Sequence, residues 1–299
     1  MTDLRRVGLI GLGEVGQVLA QDLHRGGDVD LCAWDRLFAL EGSAPWRAAR
    51  GLPHLKAASC MAEAVRGRSL LICAVTADEC EAAAVEAAQA LAPHTLYLDL
   101  NSVSPHTRVQ AARTIEGANG HYVEAAVMSP IAPKRLGSPL WLGGTHARDA
   151  LPLLQSLGFT AAAVYSDALG AASAAKMCRS VIVKGMEALL AESLLTARRH
   201  GVEDAVLSSL NDLFPGTDWR RLARYMIARS LQHGRRRAEE MREVVRTVAQ
   251  AGLEPWMSRG CVERQQWAAG HAEALSQETL AGVLDHVLAH TPAPAAQPP

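Results

Sequence analysis

The 299-residue chain is poor in aromatic side chains, with Phe, Trp and Tyr making up 4% of it. Hydrophobic residues nevertheless reach 49%, so the core must be aliphatic and rich in alanine. Net charge is nearly absent, formally −1, which removes the general electrostatic case for nucleic acid or an anionic membrane surface as partner. No apolar run approaches the ~20 residues of a membrane span. MTDLRR leads straight into VGLIGLG without the h-region and cleavage site of a signal peptide, so a cytoplasmic protein is expected. The cysteines at 32, 60, 73, 80, 178 and 261 include no CxxC pair. Cys32 and Cys73 sit in apolar strand-like runs, and all six are expected to be reduced thiols. His286 and His290 have helical i, i+4 spacing but no third ligand nearby, so no metal site is expected.

What the chain does have is alternation. Apolar strand candidates at Val7–Ile10, Val29–Trp34, Leu70–Val75, Leu96–Leu98 and Tyr122–Val127 are separated by helical patterns at Glu14–His24, Asp78–Ala90 and Pro105–Thr114. Strand, helix and strand in turn predict βαβ units and a parallel sheet. After about Asp167 β-branched strand runs cease, and helical stretches follow at Leu169–His200, Val206–Leu213, Asp218–His233, Arg237–Ala251, roughly Ser258–Ala269 and Gln277–His290. The expectation is an α/β Rossmann domain over residues 1–166 and an all-helical domain over 167–290. The Pro/Ala-rich tail TPAPAAQPP, 291–299, is expected to be disordered.

In VGLIGLGEVGQVLA, Gly11, Gly13 and Gly16 spell G-x-G-x-x-G between an apolar strand and an amphipathic helix. The first glycine permits the tight turn, the second lets backbone approach a pyrophosphate, and the third lets helix and strand pack closely. The helix N-terminus at Glu14 and Val15 then faces the phosphates with its N–H groups. Asp35 ends the second strand, 19 residues after Gly16 (35 − 16), where a carboxylate accepts from the adenosine ribose diol. That favours NAD over NADP, because a carboxylate repels a 2′-phosphate. Arg36 is placed either to stack on adenine or to pair with such a phosphate.

Three more stretches share this order. LICAVTADE puts Val75 and Thr76 at the end of a strand, LDLNSVSP follows the next strand, and GAASAAKMCRS opens the helical region. Together with the glycine loop they resemble the β-hydroxyacid dehydrogenases, a family that includes 3-hydroxyisobutyrate and tartronate semialdehyde dehydrogenases and has 6-phosphogluconate dehydrogenase as a relative. KMC, FPGTDW and HGRRRAEEM resemble a less characterised branch with a 6-phosphogluconate-dehydrogenase-like helical domain. The resemblance covers most of the chain.

The resemblance implies roles. The family pattern D-x-S-T-x-x-P reads Asp99, Leu100, Asn101, Ser102, Val103, Ser104, Pro105 here. Asn101 and Ser102 are thereby expected to contact substrate or nicotinamide ribose, or else to cap the following helix. The family's D-A-P-V-S-G-G is replaced by Glu124-Ala125-Ala126-Val127-Met128-Ser129-Pro130. The glycine pair is gone, which makes a more apolar wall with Ser129 as a substrate contact. The family's catalytic lysine falls on Lys176, and its substrate-binding asparagine on Ser180 at i+4. Lys184 is expected to be a partner or surface lysine. His233, Arg235 and Arg236 are placed either to supply positive charge to an anionic substrate or to lie on a solvated, ion-paired helix. The reaction implied is hydride transfer between NAD or NADP and a hydroxy acid or related alcohol, with Lys176 as general acid/base. An imine reductase on the same plan is an alternative, disfavoured because many of those enzymes replace this lysine; a catalytically silent dinucleotide-binding regulator is another. An anionic small-molecule substrate and a homodimer are the expected partners, the Ala/Leu-rich face of Leu169–His200 serving the dimer.

Overall fold

A computed structural model describes residues 5–27 and 29–291. The tail expectation falls, from residue 292 on, outside the described residues. The chain divides into two compact units, one running to Met177 and the other starting at Cys178, so that the division falls within the long helix Ala171–Arg199.

The first unit is built on an eight-stranded sheet. Its strands are β1 (Arg6–Ile10), β2 (Asp30–Trp34), β3 (Leu55–Ala57), β4 (Leu70–Cys73), β5 (Leu96–Asp99), β6 (His121–Val127), β7 (Leu140–Gly143) and β8 (Ala162–Ser166). Their order is β3-β2-β1-β4-β5-β6-β7-β8, and every neighbouring pair is parallel except β6–β7. Period-2 alternation splits the apolar residues between two faces. Val7, Leu9, Leu70, Ile72, Leu96, Leu98, Val123 and Ala125 join a core containing Leu19 and Leu23 of the helix Glu14–Arg25. Ile10, Leu71, Cys73, Tyr97 and Tyr122 join the opposite core with Ala84, Ala87, Ala111 and Ile115. Strands buried on both faces read as unbroken apolar runs, and this is the Rossmann architecture that the alternation predicts.

The second unit is helical, with Glu203–Leu213, Trp219–Gln250, Trp256–Ala268 and Leu280–Ala289 packed with the remainder of the long helix. Its core gathers Leu190, Ala191, Leu194, Trp219, Ile227, Leu231, Val283 and Leu284. The expected break after Asp218–His233 is present: Trp219–Gln250 consists of two helical segments that meet at a kink at His233 (φ −125°, ψ 16°). Gly234, next to the kink, lies where a Cβ would come within 2.5 Å of the Gln265 carbonyl oxygen, so the glycine serves helix packing and not helix termination. All six cysteines are free thiols. Among the described residues no helix is long and apolar enough to cross a membrane.

Histidines meet in three places. The His24 and His54 rings stack at 3.7 Å, His121 stacks on His146 at 4.1 Å and lies 3.1 Å from the His94 ring nitrogen, and His271 feels His290 and His286. Burial, and after it the neighbouring imidazoles, lower the pKa of His54, His121 and His271 below the ordinary value. The folded protein therefore binds fewer protons than the unfolded chain once the pH falls through the unfolded value of about 6.5, and stability falls with it. The urea midpoint is expected to drop between about pH 7.5 and about pH 5.5; a midpoint that rises or stays level over that range contradicts this.

Candidate functional site

The glycine loop joins β1 to the helix Glu14–Arg25. Gly11 has φ +93°, and a Cβ there would lie 2.5 Å from the Ala74 carbonyl oxygen. At Gly16 a Cβ would lie 2.1 Å from the Gly11 carbonyl oxygen, which enforces the strand–helix contact. Gly13 differs, because a Cβ there meets nothing within 4 Å. It is also the N-cap and offers no capping side chain, so the first turn at Glu14 and Val15 has no side-chain hydrogen bond from that position. Open space beside N–H groups at a helix start suits an anion, and the loop fits a dinucleotide pyrophosphate.

Asp35 faces this loop from the end of β2. Its Oδ2 accepts from Leu12 N–H at 2.8 Å and its Oδ1 from Leu37 N–H at 2.9 Å. The carboxylate thus holds the loop's shape and keeps lone pairs for a ribose hydroxyl. Arg36 is exposed and ion-paired with Glu79. Val75 donates its N–H to Asn101 Oδ1 at 2.8 Å, and exposed Thr76 opens the short turn Ala77–Glu79. Asn101 is 2% exposed and also donates Nδ2 to Cys73 Sγ at 3.3 Å. Its side chain therefore ties the ends of β4 and β5 together.

The next residue, half-buried Ser102, meets Lys176, whose Nζ donates to Ser102 Oγ at 2.6 Å. Beneath the pair lies a buried ionic framework. Arg108 and Asp99 are fully buried and form an ion pair at 2.7 Å. Asp99 also accepts from Tyr122 Oη at 2.7 Å, from the Asn101 N–H at 2.9 Å and from Cys80 Sγ at 3.4 Å. Burial is the largest single effect and favours loss of the Arg108 proton, but Asp99, Tyr122, Glu124 and Cys80 together outweigh it and raise the pKa well above the ordinary value. Burial first and Asp99 second push the Cys73 thiol up to about 12 and raise Cys80 as well, so both thiols are neutral and not nucleophiles.

Ser129 lies in the turn after β6, where its Oγ donates to the Pro130 carbonyl at 3.3 Å. Ser180 belongs to the second unit and is 7% exposed. Lys184 is a correction: it is not a surface lysine but is buried and ion-paired with Glu240 at 2.6 Å. Arg237 similarly pairs with buried Glu187 at 2.7 Å, and His233 Nε2 accepts from Arg229 at 2.9 Å. Among the described residues no group of three or more His, Cys, Asp or Glu is arranged to hold a metal. Sequence reasoning passed over Arg108, Tyr122 and the role of Glu124. The available signal was Glu124 and Asp99, carboxylates within strands otherwise apolar.

Comparison with known proteins finds relatives of the same fold. Residues 6–165 match the NAD binding domain of 6-phosphogluconate dehydrogenase, and residues 197–268 match a domain of unknown function. A conserved hypothetical protein from Sinorhizobium meliloti 1021 is 31% identical, covering 96% of this chain and 97% of its own, with a TM-score of 0.71. A conserved protein of unknown function, described as structurally similar to 3-hydroxyacid dehydrogenases, is also 31% identical, covering 93% of this chain and 99% of its own at a TM-score of 0.67. The 3-hydroxyisobutyrate dehydrogenase of Mycobacterium tuberculosis shares the fold at 19% identity and a TM-score of 0.69, covering 95% of this chain and 98% of its own.

Proposed function

Because the chain belongs to the family defined by the NAD-binding domain of 6-phosphogluconate dehydrogenase, we propose that it is a nicotinamide-dependent oxidoreductase acting on a hydroxy acid or its carbonyl counterpart. The observation that carries this reading is the Lys176–Ser102 contact at 2.6 Å. A bound nicotinamide dinucleotide supplies hydride acceptance or donation. Gly11–Gly16 would hold its pyrophosphate and Asp35 its adenosine ribose. Neutral Lys176 takes the hydroxyl proton as the carbinol C–H bond breaks; in the reverse direction its ammonium returns that proton to the forming alkoxide. Ser102 selects the rotamer in which Nζ is held for this transfer. A hydroxyl-bearing substrate suits this lysine–serine pair better than an imine. Ser129 and Ser180 are assigned to substrate, and the branch's missing glycine pair points to a substrate other than the small ones of its relatives.

The test is absorbance of the reduced nicotinamide across a panel of 2- and 3-hydroxy acids, with Lys176→Ala beside the wild type. Turnover of a panel member that the variant lacks is expected. Dinucleotide binding with no turnover of any member favours the regulator reading.

NAD is the proposed cofactor, since Asp35 repels a 2′-phosphate and Glu79 occupies Arg36. Glu79→Gln frees Arg36 and is expected to tighten NADP binding about threefold to tenfold while NAD changes less than about twofold. Titration of intrinsic fluorescence measures both, and unchanged NADP affinity contradicts the role given to Arg36.

A homodimer is proposed as well. Ile182 and Leu189, seven residues apart on the long helix, are 66% and 57% exposed, whereas Leu190, Leu194 and Leu195 already serve the second unit's own core. Light scattering is expected to give twice the chain mass, and Ile182→Glu to halve it.

A further inference from the structure

All three nitrogens of the Arg108 guanidinium are engaged. Nη1 donates to the Asp99 carbonyl oxygen and pairs with its carboxylate, both at 2.7 Å, Nη2 donates to the Asn101 carbonyl oxygen, and Nε donates to Ser173 Oγ at 2.9 Å. The first contacts grip the end of β5 beside Ser102, and the last grips the first turn of the helix that carries Lys176. Glu124, on β6 and fully buried, holds the same turn as well. Its Oε2 accepts from Gly170 N–H at 2.6 Å and its Oε1 from Ser173 N–H at 2.5 Å. Gly170 has φ +89°, a conformation side chains resist, and it turns the backbone toward that carboxylate.

We propose that Arg108 and Glu124 are positioning residues for proton transfer, locking the Ser102 end of β5 to the start of the Lys176 helix and so setting the Nζ–Oγ contact. The proposal rests on the reading of Lys176 as the proton-transfer group. Its physical basis is economy. A fully buried ion pair is often no more stabilising than well-packed apolar residues of the same volume, so stability alone does not explain one here. A planar, rigid fork does hold two segments at fixed separation. Ser173 precedes Lys176 by three residues, about 4.5 Å of helix rise, too short for a shift at one to be absorbed before the other. Displacements of about 1 Å are enough to slow a reaction about a hundredfold.

The test needs no substrate. Competitive acetylation by acetic anhydride over a pH series, read by peptide mass spectrometry, titrates the Lys176 amine, with exposed Lys134 as internal reference. Ser173→Ala cuts only the tie between Arg108 and the helix, and Glu124→Gln weakens the grip on its first turn. In both, Ser102 no longer accepts squarely from the ammonium, which loses a bond favouring its charged form. The Lys176 midpoint is expected to move to lower pH by about half a unit or more while Lys134 stays in place. With a substrate in hand, kcat is expected to fall about tenfold while the dinucleotide Kd changes less than about twofold. Arg108→Lys supplies the same comparison should either variant fail to fold. A Lys176 midpoint equal to the wild type's in the folded variants overturns the proposal. Absence of turnover with a shifted midpoint removes the dehydrogenase reading instead and leaves the positioning intact.

Discussion

Lys176→Ala is expected to bind dinucleotide like the wild type and to lose turnover by about 10²–10⁴-fold, the usual contribution of a positioned general acid/base. The two effects separate because the groups are separate. The glycine loop and Asp35 hold to one another through Leu12 N–H, whereas Lys176 bonds Ser102. Lys176→Arg distinguishes proton transfer from charge alone. It keeps the positive charge but does not deprotonate at working pH, so it is expected to be as inactive as the alanine variant. Substantial activity in the arginine variant, measured by steady-state kinetics at saturating dinucleotide, would give Lys176 an electrostatic role only. Ser102→Ala is expected to fall between, because it removes the partner that selects the lysine rotamer and leaves the amine in place.

Arg108→Met is expected to destabilise the first unit by about 3–5 kcal/mol, the cost of leaving a buried charge without its partner. Asp99 is fully buried, and the variant strips its counter-charge together with the guanidinium bonds to two carbonyl oxygens and Ser173. The loss is measured as the shift in urea midpoint at constant m-value. Adding Asp99→Asn is expected to recover part of it, because removing both charges also removes the unpaired one. Additive losses in the double variant would mean that the two residues do not act as a pair.

The architecture was legible wherever the chain repeats a signal. β1, β2, β4, β5 and β6 are buried on both faces and carry unbroken apolar runs. β3, β7 and β8 escaped notice for physical reasons. β3 is three residues long, LKA, and lies at a sheet edge; β7 is the short LWLG; β8 is an edge strand whose alternate positions are exposed. Too few side chains in each face the core for a period to emerge. The break read between His233 and Arg237 coincides with the kink at His233, beside which the missing Cβ of Gly234 makes room for the helix Trp256–Ala268.

The site divides in the same way. Glycine loops and a carboxylate at the end of a strand are written in local sequence, and so is a lysine on a helix of small residues. The framework beneath them is not. Arg108, 65 residues from Ser173, and Glu124, 46 from Gly170, meet their partners only through the fold, and on a single sequence such residues look like ordinary charged positions. Asn101 shows the converse. Its place in a motif suggested ligand contact, while its side chain bridges two strands of the sheet.

Direct hydride transfer is the claim on which the rest depends. Incubating the protein with dinucleotide reduced and deuterated at the nicotinamide C4, together with the carbonyl form of a hydroxy acid, and weighing the product by mass spectrometry tests it most directly. One deuterium on the carbinol carbon, delivered by the wild type and far more slowly by Lys176→Ala, is the expected result. Product without label, or label delivered equally fast by both proteins, would contradict it.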